Sequence, residues 1–275
     1  GIPISITCNS CGINSSTADY NTYIGYRASQ ELNGNYNTSL GSFAGNGSSS
    51  NKNITNNVFI GYNCLKTGLG GNYNTYVGDH SGYNSNCDDS VFIGFKSGYH
   101  SDGDGNVFVG REAGFNTDTS LFNTLIGYRS GFYIDGNDSN VSPGYTGNAF
   151  MGYKSGYNLK GTSSRNIVIG PDAGPVEILT TDENYDASTS NIEHFKVYID
   201  TRGPSNTPLL LGDQSDNTLQ TLSLNAAVTI SNESSAGTLE VQGGEITFWG
   251  GRKQTSPTDS NARIWSMSAP DGQTD

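Results

Sequence analysis

A short apolar run that ends at a glycine recurs along the first two-thirds of the chain. It occurs in "NVFIGYNC" from Asn57, "SVFIGFKSG" from Ser90 and "NVFVGREAG" from Asn106. Each run holds three or four apolar residues, preceded by Asn or Ser and followed by mostly polar residues. A helix needs apolar residues every three or four positions over at least about ten residues, so these runs predict short β-strands.

The glycine at the end of each run anchors nine copies of one repeat. Most copies are spaced by 16 or 17 residues, and longer gaps precede Gly61, Gly152 and Gly170. Polar inserts, "NGSSSNKNITN" and "YIDGNDSNVSPGYTG", fill the first two of these gaps. The anchoring glycines are Gly25, Gly41, Gly61, Gly78, Gly94, Gly110, Gly127, Gly152 and Gly170.

Two neighbouring positions of the run carry different apolar residues. The residue before the glycine is aliphatic in all nine copies, and the residue before that is aromatic in six. Successive strand residues point to opposite faces, so both faces of this strand are apolar and need cover. We predict that the aliphatic column is the structural core and that the aromatic column is the interface between identical chains. The aliphatic column is Ile24, Leu40, Ile60, Val77, Ile93, Val109, Ile126, Met151 and Ile169, and the aromatic column is Tyr23, Phe59, Tyr76, Phe92, Phe108 and Phe150.

Polar and small residues fill the rest of each repeat. Asn stands four residues before the glycine in eight of nine copies, with Ser90 in the other, and is predicted to be a turn residue. The residue three after the glycine is always small, and segments such as "YKSGY" alternate large and small residues, which predicts a second short strand. Two short strands and two tight turns fit a thin β-roll that rises about 4.8 Å per coil.

The repeats predict an all-β fold, a parallel β-roll or solenoid of about nine short coils followed by a β-rich fibrous segment. Residues 1–20 are predicted as an N-terminal connector, 21–174 as the roll and 175–275 as a β-rich shaft or second segment. The apolar side chains of one coil do not offset the entropy lost on ordering its residues. Closed symmetric association of identical chains is therefore expected.

Composition and charge exclude several classes of partner. The chain has 275 residues, 33% of them hydrophobic, and its 16 Tyr and 11 Phe are too many for a disordered polar tract. Its net charge of −12 repels phosphate, so no nucleic-acid partner is expected. No run of about 18 apolar residues occurs, so no membrane insertion is expected.

The repeats resemble the head repeats of trimeric adhesins of the YadA type, which also occur in phage tail fibres. "NVFIGYNC", "NTYVGDHSG", "SVFIGFKSG" and "GNAFMGYKSG" carry the resemblance, which covers about Asn21 to Gly174. It implies a left-handed parallel β-roll and a homotrimer in which three rolls pack around a common axis. The heptad stalk and membrane barrel of trimeric autotransporters are not found, and repeats followed by a β-rich segment with "TPLLLGD" are similar to fibrous tail proteins.

Aromatic residues that directly follow the glycine are candidates for ligand contact. Exposed rings bind glycans through a flat apolar face and a polar handle, and the alternative is that the rings form a structural ladder. The polar loops around 46–56 and 132–147 are the stronger candidates for a receptor, since recognition concentrates in loops on rigid scaffolds. The residues assigned as ligand-facing are Tyr26, Tyr62, Tyr128 and Tyr153.

No catalytic or metal-binding residue is assigned. Cys8 and Cys11 have metal-like spacing but supply only two of the four ligands of a zinc site. Cys64 is predicted to be buried as a small apolar residue, out of register for a disulfide with Cys87. The loops "SDGDGN" and "DGNDSN" offer oxygen ligands, but neither matches a calcium-binding loop. Calcium binding by these loops stays an alternative, and no cofactor is predicted.

Together these observations predict a non-enzymatic trimeric fibre or adhesin, best matched by a phage or virus-like tail fibre that presents loops to a host receptor. It would be extracellular, as a virion tail appendage or at a cell surface, and its partners would be identical chains and a cell-surface glycan or protein. Alternatives are a subunit of an extracellular filament, a trimeric autotransporter adhesin and a glycan depolymerase, for which no carboxylate pair stands out. An ice-binding face would need a regular Thr array, and Thr stands three before the glycine in only four of nine copies.

Overall fold

The computed structural model shows a chain of β-strands and turns. It describes residues 20–30, 32–47, 53–134, 147–157, 159, 163–174, 196–200, 210–213, 221–224, 231–232 and 235–236, and no helix occurs within them. The predicted connector, apart from Tyr20, lies outside these ranges, as do Cys8 and Cys11.

The nine apolar runs form three-residue strands that lie side by side in one parallel sheet. Their register aligns each column of the repeat, so that Phe59 lies opposite Tyr76 and Ile60 lies opposite Val77. The predicted all-β, parallel solenoid is therefore confirmed. The strands are β1 (Thr22–Ile24), β2 (Thr38–Leu40), β3 (Val58–Ile60), β4 (Thr75–Val77), β6 (Val91–Ile93), β8 (Val107–Val109), β10 (Thr124–Ile126), β11 (Ala149–Met151) and β12 (Ile167–Ile169).

The parallel ladder extends past residue 174, where the repeats were predicted to end. Strand β13 (Lys196–Ile199) pairs in parallel with β12. Strands β14 (Leu210–Asp213) and β15 (Thr221–Leu224) then join the same sheet in antiparallel order. The chain divides into two compact units, 1–227 and 228–275. In the second unit, β16 (Ser231–Asn232) pairs with β17 (Ser235–Ala236) in antiparallel fashion.

Each strand of the repeat ends at its glycine because two successive coils approach closely there. Gly61 has a φ of +137°, a conformation that L side chains rarely adopt. A Cβ placed on Gly61 would lie 2.4 Å from the carbonyl oxygen of Gly78 in the next coil. Only glycine fits this position, which explains why the repeat is anchored on it.

The residues that follow the glycine form a turn, and the predicted second strand is not found there. The residue two after the glycine has a left-handed backbone in every repeat, for example Lys96 with φ of +54° and Arg129 with +52°. An extended strand cannot contain this conformation. A second, three-stranded parallel sheet begins six residues after the glycine in three repeats, and its strands are β5 (Asn84–Ser85), β7 (His100–Ser101) and β9 (Asn116–Asp118).

The aromatic column fills the interior of the solenoid. Phe59, Tyr76, Phe92 and Phe108 are fully buried within the single chain. The rings of Tyr76 and Phe92 stack at 4.7 Å, and those of Phe92 and Phe108 stack at 4.9 Å. This is about the spacing of neighbouring strands, so the three successive coils that contain Tyr76, Phe92 and Phe108 each contribute one ring to a stack.

The prediction that the aromatic column is the interface and the aliphatic column the core was therefore wrong, because the two columns are exchanged. Tyr23 is half-buried, and Phe59, Tyr76, Phe92, Phe108 and Phe150 are buried inside the chain. The aliphatic column points outward instead: Leu40, Ile93, Ile126, Met151 and Ile169 are exposed, and Ile24, Ile60, Val77 and Val109 are half-buried. The rings pack in the interior beside buried aliphatic side chains from the loops, such as Leu32, Leu65 and Ile134, and stacked rings match the spacing of the coils.

The Asn that precedes each strand forms a ladder of hydrogen bonds inside the solenoid. Asn57 Oδ1 accepts the backbone N–H of Asn74 at 2.8 Å, and Asn74 Oδ1 accepts that of Ser90 at 2.9 Å. At the one Ser in the column, Ser90 Oγ accepts the N–H of Asn106 at 3.1 Å. These buried backbone N–H groups would otherwise have no acceptor. The Asn column therefore links successive coils, a role that its prediction as a turn residue did not include.

Candidate functional site and interaction surfaces

The outer face of the long sheet is uncharged and mostly apolar along nine strands, with Thr in four of them. We call it the aliphatic face, and it consists of the column before the glycine and the column three before it. Neither column contains a charged residue in any of the nine strands. The most exposed large side chains on it are Leu40 (44%), Ile93 (39%), Ile126 (36%), Met151 (54%), Ile167 (43%) and Ile169 (39%).

A continuous apolar face of this kind is unusual on a soluble monomer, whose exposed apolar residues are normally scattered. The cores of protein–protein interfaces are depleted in charged residues, as this face is. Parallel strands that are apolar on both sides are normally covered on both sides. The aliphatic face is thus suited to packing against another apolar surface.

A second surface lies beyond the turn that follows each glycine. Five half-buried rings, five residues after their glycines, form an outer ring column. Tyr99 stacks on Phe115 at 5.0 Å and 8°, and Phe115 stacks on Phe132 at 4.9 Å and 3°. The planes of the first four rings are nearly parallel, so their faces cover one another and mainly ring edges point to solvent, while Tyr157 is tilted by 37° against Phe132. The column consists of Tyr83, Tyr99, Phe115, Phe132 and Tyr157.

Four cations on successive repeats form a group that we call the cationic stripe: Lys96, Arg111, Arg129 and Lys154. Three of them lie between a ring of the outer column and a ring directly after a glycine. Lys96 Nζ lies 5.5 Å from the Tyr99 centroid and 5.3 Å from that of Phe95. Arg129 Cζ lies 5.2 and 5.3 Å from the centroids of Phe132 and Tyr128, and Lys154 Nζ lies 5.4 Å from those of Tyr157 and Tyr153.

The fourth cation of the stripe, Arg111, lies within the column of rings that directly follow their glycines. Its Cζ atom is 5.1 Å from the Phe95 centroid and 5.9 Å from the Tyr128 centroid. Its side chain is more than half exposed. Cation–π contacts of this length hold long cationic side chains over neighbouring rings.

One carboxylate lies within the stripe. Glu112 accepts a hydrogen bond from Arg129 Nε at 2.5 Å, and Arg111 Nε is 3.4 Å from its other oxygen. Burial by itself raises the pKa of the Glu112 carboxyl, but the hydrogen bonds and charges of Arg129 and Arg111 outweigh it, so that the pKa lies below its ordinary value. Glu112 is thus ionised at neutral pH and joins two successive coils.

The four tyrosines assigned as ligand-facing do not form one flat platform. Tyr128 and Tyr153 are brought together and stack at 5.3 Å and 8°. Tyr26 and Tyr62 are apart from them, and each makes an edge contact with Phe43, at 5.3 and 6.4 Å between centroids. Of the predicted receptor loops, 48–52 and 135–146 lie outside the described residues.

The two described cysteines belong to the core. Cys64 and Cys87 are free thiols and are buried, as the prediction for Cys64 required. The hydroxyl of Tyr76 lies 3.0 Å from Cys87 Sγ and 3.0 Å from Ser85 Oγ. Burial raises the pKa of both thiols. Because the thiolate is the reactive form, these cysteines pack the interior and are poor nucleophiles.

The described acidic and histidine side chains do not form a metal centre. Asp104 Oδ1 accepts the N–H of Asp88 at 2.8 Å, and Asp102 accepts from the Asn86 side chain at 2.7 Å, so the "SDGDGN" loop links coils. Within the ranges given above, no group of three or more His, Cys, Asp or Glu could hold a metal ion. The "DGNDSN" loop lies outside those ranges.

In the same part of the chain, no helix has the length and hydropathy needed to cross a membrane.

Comparison with known proteins finds no matching family model, no matching curated protein and no matching solved structure.

Two features of these surfaces were not recognised in the sequence. The outward direction of the aliphatic column has no signal in the repeat, because both neighbouring columns are apolar. The cationic stripe does have a signal in the sequence, since Lys or Arg stands one or two residues after the glycine in four successive repeats from Gly94 to Gly152. Acidic and basic residues both occur at these two positions along the solenoid, which obscured this run of cations.

Proposed function

We propose that the chain is the subunit of a non-enzymatic, homotrimeric extracellular fibre that presents a binding surface to a cell-surface receptor. The single observation that carries the proposal is the aliphatic face. Identical chains that pack this face around a common axis would cover it along the whole solenoid.

The gain in free energy supports association through this face. Covering one partly exposed Ile or Met of the kind found at Ile93 or Met151 contributes about 0.6–1.6 kcal/mol. Such residues recur along the face and are joined by half-buried ones, so their contributions add along the solenoid against the cost of bringing rigid bodies together. Because the sheet is regular and preformed, little further ordering is needed on association.

A stoichiometry of three and a fibrous role are supported by the resemblance of the repeats to trimeric adhesin heads and phage tail fibres. The tail fibre is the form that the order of segments favours, with solenoid repeats first and the strands β13 to β15 after them. Binding is proposed over catalysis because many described polar side chains are used in hydrogen bonds between coils, as at Asn57, Asp102 and Asp104.

Sedimentation velocity and light scattering on the full chain test the assembly. We expect a mass of three chains that stays constant over a hundredfold range of concentration. The double variant Ile93→Asp/Ile126→Asp should shift the mass to one chain, since it places carboxylates in the centre of the face. Leu69→Asp is the matched control, because Leu69 is as exposed but lies in a loop outside the sheet.

A wild-type chain that remains monomeric would overturn the trimer, and a mass that grows without limit on concentration would indicate the filament instead. Receptor binding is tested by incubating labelled wild-type protein with a panel of bacterial cells. Saturable binding to some strains, lost in the monomeric double variant, supports the proposal. Shortening of a capsular glycan during the incubation would indicate a depolymerase.

A further inference from the structure

We propose that the cationic stripe binds a linear acidic glycan, a polymer of sugars that carry carboxylate or sulfate groups. The inference deepens the proposed function by naming the ligand class of its receptor, and it rests on that function. It is carried by the placement of Lys96, Arg111, Arg129 and Lys154 on four successive repeats, together with the packing of the rings beside them.

The stripe places one cation on each of four successive repeats, with Lys96, Arg129 and Lys154 two residues after their glycines and Arg111 one residue after its glycine. Because successive strands of the sheet are about 4.8 Å apart, the row from Lys96 to Lys154 is on the order of 15 Å long. A row of this length fits an extended polymer with regularly spaced anions better than one compact anion. The register of the strands fixes the row, since the paired strands β6, β8, β10 and β11 support its four members.

The charge of the stripe is opposite to that of the chain as a whole. Four cations stand on successive repeats with one carboxylate, Glu112, among them and with Asp79 and Asp172 in the flanking repeats, while the whole chain carries a net charge of −12. Within the described residues, neither Lys96 nor Lys154 has a carboxylate within ion-pair distance, so both ammonium groups are free to bind an anion. A polyanion is repelled by most of the surface and attracted to this row.

The packing of the rings favours an acidic sugar over a nucleic acid. In the outer ring column, Tyr99, Phe115 and Phe132 cover one another's faces at 4.9–5.0 Å and point their edges outward. Aromatic edges are the positive part of the ring quadrupole, so they add to the attraction for anions. Single-stranded nucleic acids need free ring faces on which bases stack, and these faces are occupied.

Hydroxyl groups beside the cations complete the chemistry that a sugar needs. Tyr153 and Tyr157 lie on either side of Lys154, and Tyr99 lies beside Lys96. A tyrosine hydroxyl both donates and accepts hydrogen bonds, as sugar hydroxyls do. Anionic groups of the glycan would pair with the ammonium groups while its hydroxyls contact the tyrosines.

Binding of the full-length protein to immobilised polymers tests the proposal. The probes are hyaluronan (carboxylate), dextran sulfate (sulfate) and dextran (neutral), with poly-glutamate and single-stranded DNA as other polyanions. We expect saturable, salt-sensitive binding to hyaluronan, dextran sulfate or both, and none to dextran. The proposal is overturned if neither acidic glycan binds, or if poly-glutamate or DNA binds as tightly as they do.

Variants locate the binding on the stripe. Lys96→Gln/Lys154→Gln should weaken the affinity at least about tenfold, which corresponds to about 1.4 kcal/mol. Lys96→Arg/Lys154→Arg keeps the charges and should bind like the wild type. Arg165→Gln removes one exposed cation away from the stripe and is the control for the single variants Lys96→Gln and Lys154→Gln. It should have no effect on the affinity. Unchanged affinity in the double Gln variant would overturn the assignment to the stripe.

The same samples separate this inference from the proposed function. Their mass is measured by light scattering before binding. A monomer that binds acidic glycan through the stripe would overturn the trimeric fibre and support the glycan site. A trimer that binds bacterial cells but no acidic glycan would support the fibre and overturn the glycan site.

Discussion

The side-chain oxygen of Asn57 accepts the backbone N–H of Asn74 at 2.8 Å, which joins two successive coils inside the solenoid. Both residues are buried. The ladder continues through Asn106, Asn123 and Asn148, where Asn123 Oδ1 accepts the N–H of Asn148 at 2.9 Å. Each coil therefore satisfies a donor of its neighbour that water does not reach.

Asn57→Ala leaves the Asn74 N–H buried without its acceptor, and we expect the free energy of unfolding to fall by about 1–3 kcal/mol. Asn57→Ser should lose less, because Ser90 shows that a hydroxyl accepts the corresponding N–H at 3.1 Å. Urea unfolding followed by circular dichroism measures both variants. Equal losses for Ala and Ser would show that the hydrogen bond is unimportant at this position.

Gly61→Ala should be among the most damaging single substitutions in the sheet. The added Cβ meets the Gly78 carbonyl oxygen at 2.4 Å, and the φ of +137° is unfavourable for alanine. We expect a loss of more than about 3 kcal/mol. The control is Gly147→Ala, where φ is +52° and no described atom lies within 4 Å, so about 1–2 kcal/mol is expected. Thermal unfolding compares the two, and a similar loss for both would contradict the close approach of the coils.

Phe92 and Ile93 are adjacent in sequence but lie on opposite faces of one strand. Phe92→Ala removes a fully buried ring and should cost about 3–5 kcal/mol at any protein concentration. Ile93→Ala should cost little in dilute solution and more as the chains associate, since Ile93 lies on the aliphatic face. Unfolding measured at several protein concentrations gives the loss of stability of both variants. A larger loss for Ile93→Ala than for Phe92→Ala in dilute solution would indicate that the aliphatic column, and not the aromatic column, forms the core.

The ion pair between Glu112 and Arg129 predicts a pH dependence in acid. The folded state holds the pKa of Glu112 below its ordinary value of 4.5, so the contribution of Glu112 to stability is complete above that pH. It is lost as the pH falls further through the folded-state pKa. Because Arg129 is partly exposed, the contribution should be less than about 1 kcal/mol.

Chemical unfolding between pH 7 and pH 3 measures this effect against Glu112→Gln. The wild type should be more stable than the variant at pH 7, and the difference should shrink as the pH is lowered. A difference that stays constant or grows in acid would have the wrong sign for this ion pair. Asp79→Asn is a useful comparison, since Asp79 is exposed and contacts His80 rather than an arginine.

The repeat was sufficient to predict the nine repeat strands of the long sheet, their parallel order and the register of the columns. A run such as Val58–Ile60 is bounded by a turn residue and by a glycine, and it pairs with the equivalent run of the next repeat. Periodicity and turn chemistry are local, so a single sequence contains them.

The direction of the columns could not be predicted in this way. Phe92 and Ile93 are both apolar, and hydrophobicity does not say which of two apolar faces is inside. The answer depends on how much space the roll leaves between its walls, which is a property of the turns. The residue two after each glycine, such as Lys96, has a left-handed backbone in this turn, and nothing in the composition of its column marks it.

The long sheet keeps its register regardless of how many residues connect its strands. Thr124 lies opposite Val107 with 17 residues of separation, and opposite Ala149 with 25. The chain leaves the sheet after β10 and returns at β11 one step further along the same ladder. A foreign peptide inserted between β10 and β11 would be displayed at a fixed position along the solenoid. New recognition properties can thus be introduced while the parallel sheet stays unchanged.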